Sequence, residues 1–291
     1  MSNKLKGTLS LLLATVIWGS TFVAQSVGVE KIGPYTFLAV RCVLAVIVLL
    51  LILYFLNKKD FIAIVTDSKL WKAGIPCGIA LFAATAMQQV GLIYTTAGKG
   101  GFITTMYILL VPIFGLFLKQ KPPKTVGISV VIAAVGLYLI SGAGFTAINI
   151  GDVLMLGCAI AFAFQILIMD RVAGELNSLA LNMAQALVCG VLSGVFALIF
   201  DTIVWENILA CWFPLLYAGV LSMGFAYTLQ IVGQKAIEPT TASLLMSFES
   251  VFAALSGWLL LNESFTTTEG IGCALVFGAI LLTQIPVKNK A

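Results

Sequence analysis

The sequence predicts an all-α integral membrane protein with ten transmembrane helices arranged as two inverted five-helix repeats. Three observations predict it: a composition suited to lipid, a series of apolar runs each long enough to cross a bilayer, and a correspondence between the two halves of the chain. Of the 291 residues, 60% are hydrophobic and 10% charged, and the mean hydropathy is +1.09. Soluble domains carry about 25% charged residues, so the solvent for most of this chain is hydrocarbon.

Crossing that hydrocarbon takes about 20 apolar residues, and because lipid offers no hydrogen-bond partners the backbone must satisfy itself as helix. Ten runs qualify: 7–26, 34–56, 71–94, 100–118, 125–141, 152–169, 179–200, 211–233, 240–261 and 268–285. Turn residues or charges separate them, as in Lys31-Ile32-Gly33-Pro34, Asn57-Lys58-Lys59-Asp60, Gly98-Lys99-Gly100-Gly101, Pro122-Pro123-Lys124 and Glu238-Pro239. Connections this short make successive helices antiparallel neighbours. Lys4 and Lys6 before the first run resemble a signal peptide with a cleavage site near Ser26, but with nine further spans behind it the run reads as a retained helix.

The basic residues orient the spans. With a cytoplasmic N-terminus, the inside segments hold Lys4, Lys6, Lys58, Lys59, Lys69, Lys72, Lys119, Lys121, Lys124, Arg171, Lys235, Lys288 and Lys290, and the outside segments hold Lys31 and Lys99. That asymmetry predicts both termini in the cytoplasm and a multi-pass protein of the inner (plasma) membrane. The net charge of +4 is accordingly a topology signal, and no nucleic-acid partner is expected.

The halves correspond weakly in residues and consistently in order. A shift of 144 puts Phe162, Ala163, Gln165 and Gln185 under Trp18, Gly19, Thr21 and Arg41. A shift of 142 matches Gln88 and Gly91 with Gln230 and Gly233, and a shift of 138 lays Pro112-Ile113-Phe114 over Ser250-Val251-Phe252. The change of register is about one helical turn. Repeats over 1–143 and 144–291 would each hold five spans, and an odd count inverts the second relative to the first. Inverted halves can exchange conformations and expose a central site alternately to either side, so the pattern points to a transporter.

At this point the chain resembles the drug/metabolite transporter superfamily, in particular its ten-helix EamA-type branch, from end to end. The residues that carry the resemblance are Trp18-Gly19-Ser20-Thr21-Phe22, Arg41, Leu109-Leu110-Val111-Pro112, Phe248-Glu249-Ser250-Val251-Phe252-Ala253-Ala254 and Leu259-Leu260-Leu261-Asn262-Glu263. Two positions depart from the family pattern: Ser250 stands where a proline commonly follows the glutamate, and Lys119-Gln120-Lys121 replaces an acidic end of the fourth span. The resemblance implies a central cavity lined by spans one, three, four, six, eight and nine. It also implies alternating access and a small polar or amphipathic substrate, with export of amino acids or related compounds in first place.

Six candidate substrate-binding residues follow: Trp18, Gln88, Tyr107, Gln165, Tyr227 and Glu249. Glu249 lies about ten residues, or about 15 Å, into the ninth run, near the bilayer centre. A carboxylate there costs a few kcal/mol to insert and is read as functional, binding a cationic group or accepting a coupling proton; the bland alternative is a packing hydrogen bond. Arg41 is the second candidate for a gate or coupling role, although its stem could instead snorkel to the outer headgroups. Gln88, Gln89, Gln165, Gln185 and Gln230 carry donors and acceptors that lipid cannot satisfy, so they face other helices or a wet cavity. Trp18, Tyr107 and Tyr227 would give that cavity aromatic walls, while Trp71, Trp205 and Trp212 suit the interfacial belt. Gly74 with Gly78, and Gly190 with Gly194, are spacings that permit close helix approach.

Several chemistries lack their parts. With no histidine, a His metal site or His proton relay is excluded. The six cysteines, Cys42, Cys77, Cys158, Cys189, Cys211 and Cys273, stand singly in apolar runs and read as small buried hydrophobes. Gly98-Lys99-Gly100-Gly101 lacks the upstream glycine and following hydroxyl of a phosphate loop. No cofactor or metal is expected; the partners are a small-molecule substrate, the bilayer and protons as candidate coupling ion. An intramembrane enzyme would need paired carboxylates, a GxSxG or an HExxH, and a structural subunit would have no use for Glu249 and the buried glutamines.

Overall fold

A backbone that has no water to bond to must close its own hydrogen bonds, and this chain does so with helices. The structure, a computed structural model, describes residues 2–119, 124–140, 149–174, 176–262 and 266–284; all its regular elements there are helical. In chain order they are α1 (Asn3–Val29), α2 (Pro34–Leu56), α3 (Phe61–Thr66), α4 (Ser68–Gly91), α5 (Ala97–Thr104), α6 (Tyr107–Phe117), α7 (Lys124–Ile140), α8 (Ile150–Ala173), α9 (Ser178–Phe200), α10 (Trp205–Ala210) and α11 (Trp212–Leu216). A π-helical segment (Tyr217–Ala226), α12 (Tyr227–Gln234), α13 (Pro239–Met246), α14 (Glu249–Leu261) and α15 (Thr267–Gln284) complete the chain.

Among the described residues, eight stretches are long and apolar enough to cross a membrane: α1, α2, α4, α8 and α9, together with Ala97–Phe117, Trp212–Gln234 and Pro239–Leu261. The apolar helices α7 and α15 are shorter; at about 1.5 Å per residue α7 spans about 26 Å. They pack on each other at two glycines, where a Cβ on Gly136 would fall 2.7 Å from the Gly272 carbonyl oxygen.

Close approach also joins α4 to α9. A Cβ at Gly74 would meet Ala184 at 2.6 Å and one at Gly78 would meet the Gln185 carbonyl at 2.8 Å. The Gly190–Gly194 expectation holds only in part. Gly190 presses on Cys42, but nothing lies within 4 Å of Gly194, because its face of α9 points away from neighbouring helices.

The ends of the bundle are tied by polar contacts between distant parts of the chain. Asp201, after α9, accepts from the Thr36 backbone N–H at 2.6 Å and the Thr36 hydroxyl at 2.9 Å, so it caps α2. Lys99 Nζ lies 2.9 Å from Asp152 Oδ2, and Asp152 forms a capping box with Asn149 at the start of α8. Lys235 Nζ donates to the Leu176 carbonyl oxygen, and burial holds the Lys235 ammonium below the usual lysine range.

Three features depart from continuous spans. The predicted fourth and ninth helices are both broken, at Thr105-Met106 and at Ser247-Phe248. In each break a hydroxyl donates to the carbonyl three residues earlier, Thr105 to Phe102 at 2.9 Å and Ser247 to Leu244 at 2.7 Å. Those side chains take up carbonyls that the helix would otherwise use. Tight three-residue backbone bonds follow in both, Ile108 to Thr105 and Ser250 to Ser247. The eighth predicted helix winds as a π-helix over Tyr217–Ala226.

Gly98-Lys99-Gly100-Gly101, read as a turn, is instead helical in α5, capped by Thr96 accepting from the Lys99 N–H at 3.3 Å. The short α3 and α10 were not expected. Lys121, Lys288, Lys290, Glu263 and the 143/144 repeat boundary lie outside the described residues.

Candidate functional site

Trp18, Thr21 and Gln25 recur at helical spacing on one face of α1, and all three line a central cavity whose empty space, its open mouth included, is about 440 Å³. The position of that face is set by Gly19. A Cβ there would lie 2.3 Å from Phe252 Cβ and 2.7 Å from the Glu249 carbonyl oxygen, so only glycine lets α1 lie against the first turn of α14.

Both helix breaks open onto this cavity. Tyr107 and Glu249 are the first residues of α6 and α14, they stand 142 residues apart, and the Tyr107 hydroxyl donates to Glu249 Oε2 at 3.5 Å. Glu249 is 7% exposed. It is therefore the residue after a break, not a point within a continuous helix as the hydropathy implied.

Arg41, on α2, lines the same cavity and is 2% exposed. Its Nη1 donates to Gln25 Oε1 at 3.1 Å, its Nε has no partner among the described residues, and no carboxylate there forms a salt bridge with it. The snorkelling alternative is thereby corrected, because the amide of Gln25 holds the guanidinium inward. A second span, absent from the expected list, thus contributes to the wall.

The remaining candidates divide. Trp18 and Tyr227 meet at a tilt of 57° with ring centroids 4.9 Å apart, and Tyr107 meets Phe162 edge-on at 6.4 Å, giving the cavity apolar walls with polar tips. Gln88 lines the cavity and donates to Thr104 Oγ1 at 3.3 Å. Gln230 lines it too. Gln165 does not: it is fully buried behind the wall, donating to Gln185 at 3.3 Å and accepting from Gln230 at 3.0 Å. Gln165 faces the helix interface and leaves the cavity to Phe162 and Ile166 on the same helix.

Sequence reasoning missed Thr21, Gln25, Ser222 and Met246. The spacing from Trp18 could have found the first two. Ser222 lies in the π-helical segment, where the ordinary 3.6-residue period does not apply.

A bundle of apolar helices enclosing a pocket lined, among the described residues, by one acid, one guanidinium, aromatic walls and amides is a polytopic membrane protein built around a polar site. The chain belongs to the EamA-like transporter family, whose description matches residues 5–142 and again 149–285. An uncharacterized transporter from Archaeoglobus fulgidus is 33% identical over 98% of this chain and 88% of its own length. The threonine/homoserine exporter RhtA of Escherichia coli is 24% identical, with 60% of this chain and 59% of that protein covered. A solved crystal structure shares the fold with a TM-score of 0.76 at 18% identity, over 95% of this chain and 96% of that one. The relatives bear the names of transporters and not of enzymes.

Proposed function

We propose that the chain is a secondary active transporter that moves a small polar or amphipathic metabolite across the cytoplasmic membrane by alternating access, with amino acids or related compounds as exported substrates. The observation that carries this reading is the Tyr107–Glu249 contact, where two broken helices meet at a cavity that also holds Arg41. Broken helices leave backbone polar groups and side chains free to face a solute at membrane depth. Trp18, Gln88, Tyr107, Tyr227 and Glu249 contact the substrate; Glu249 is the first candidate for proton coupling and Arg41 for an outer gate.

The two halves are read as inverted repeats of five spans, with α7 and α15 as the fifth span of each. Separate family matches to the two halves support this, as do breaks that share the 142-residue offset of Tyr107 and Glu249. Export of amino acids is supported by the distant relation to RhtA.

Purified protein in proteoliposomes is expected to show saturable counterflow of radiolabelled L-homoserine or another amino acid, accelerated by a pH gradient. Absence of any solute flux under every imposed gradient would overturn the reading. Orientation is checked separately: on a background with the six cysteines replaced, a cysteine at position 99 is expected to react with an impermeant reagent in intact cells. Reaction only after permeabilisation would reverse the topology.

A further inference from the structure

Behind the cavity wall, four side-chain amides run in series from three helices. Gln230 Nε2 donates to Gln165 Oε1 at 3.0 Å, Gln165 Nε2 to Gln185 Oε1 at 3.3 Å, and Gln185 Nε2 to Asn182 Oδ1 at 2.9 Å. Asn182 Nδ2 ends the series on the Met223 and Gly224 carbonyls at 2.9 and 2.7 Å. Asn182, Gln185 and Gln165 are fully buried and Gln230 is 2% exposed.

An isolated amide can be flipped without changing its shape, so its orientation is ordinarily an assignment. Here the last acceptors are backbone carbonyls of the π-helical segment, and a carbonyl can only accept. Asn182 must therefore present its NH2 to them and its oxygen to Gln185. The same constraint passes along the series and makes Gln230 give its NH2 to Gln165. Gln230 Oε1 is left over: it is buried, without a partner among the described residues, on a residue that lines the cavity. A buried acceptor without a partner is unfavourable, and a solute with a donor would relieve it.

We infer that this one-way amide series fixes Gln230 with its carbonyl oxygen toward the cavity, so that the site selects solutes carrying an N–H or O–H donor there, with Asn182 as the positioning residue that sets the direction. The inference rests on the cavity being the transport site. It adds an uncharged acceptor to the carboxylate of Glu249 and the guanidinium of Arg41 in the same lining.

Two measurements test it. The first needs no solute. In nanodiscs with 15N-labelled glutamine, the side-chain amide signal of Gln230, identified by its loss in Gln230→Met, is expected to shift and to exchange with deuterium at least about tenfold faster in Asn182→Leu, which removes the acceptor that orients Gln185. Gln185→Leu, which cuts the series at its middle, should do the same if Asn182→Leu does not fold. An unchanged Gln230 signal in the folded variant refutes the series as the orienting device.

The second measurement compares binding of amino acids, L-homoserine among them, with that of their N,N,N-trimethyl derivatives. Wild type is expected to favour the N–H compound by at least about tenfold, and Gln230→Met to lose most of that preference. Flux or binding without preference in wild type, or a preference undiminished in Gln230→Met, sinks the selection rule and leaves the transporter reading standing. If no compound binds or moves, both fall, and the amide signals still decide the series on their own.

Discussion

The α5–α6 and α13–α14 breaks are tied in the same way and differ in the side chain that follows each pause. Each begins with an eight-residue helix, pauses for two residues, ties the pause with a hydroxyl bonded three residues back, and restarts at a residue that faces the cavity. In the first half that residue is Tyr107, in the second Glu249. Equivalent geometry thus puts a neutral donor opposite an acid, and Glu249 is the only acidic residue among those lining the cavity. The difference teaches that two similar helix breaks build this part of the site, whereas an asymmetric pair of side chains gives it chemical polarity.

The comparison breaks most sharply at Glu249. Glu249→Gln keeps the size and the contact to Tyr107 but cannot ionise, so pH-driven accumulation in proteoliposomes is expected to fall to background while thermal stability is retained. Wild-type accumulation in this variant would reduce Glu249 to a packing residue and make the two breaks functionally alike.

A second substitution tests the approach of α1 to the acidic break. Gly19→Ala places a methyl 2.3 Å from Phe252 Cβ, and overpacking of this kind costs about 1–3 kcal/mol. Ala163, its counterpart in α8, is fully buried, and Ala163→Gly should cost about 0.5–1 kcal/mol through helix propensity. Unfolding in detergent should therefore rank Gly19→Ala as the more damaging; equal losses would show that α1 can shift away from α14.

Removing the neutral side of the pair should have the smallest effect. Tyr107→Phe deletes one long hydrogen bond, worth about 0.5–1.5 kcal/mol, and is expected to change substrate binding by no more than about tenfold. A loss of flux as complete as that of Glu249→Gln would mean that the phenol and the carboxylate act as a unit.

Legibility in the sequence followed from how expensive an error would be in lipid. An interrupted run of apolar residues or an unpaired acid at membrane depth is costly wherever it packs, so the long helices were visible in the residues themselves and Glu249 stood out as a candidate, while the family was legible in the motifs that resemble it. The helix breaks were not, because Thr105 and Ser247 are compatible with continuous helix as well as with the hydroxyl-to-carbonyl contacts that interrupt it. Arg41 could have reached headgroups until Gln25, on another helix, supplied an acceptor. Gln165 and Gln230 are the same residue type on adjacent helices, yet one is sealed behind the wall and the other lines the cavity. By itself the sequence determined which segments must be helical and which groups could not be left in hydrocarbon, since those are local costs paid by each residue against lipid. Only the tertiary structure decided which of those groups satisfy one another and which remain for a solute, since hydrogen-bond partners 16 to 142 residues apart are chosen by the packing of helices and not by neighbours in the chain.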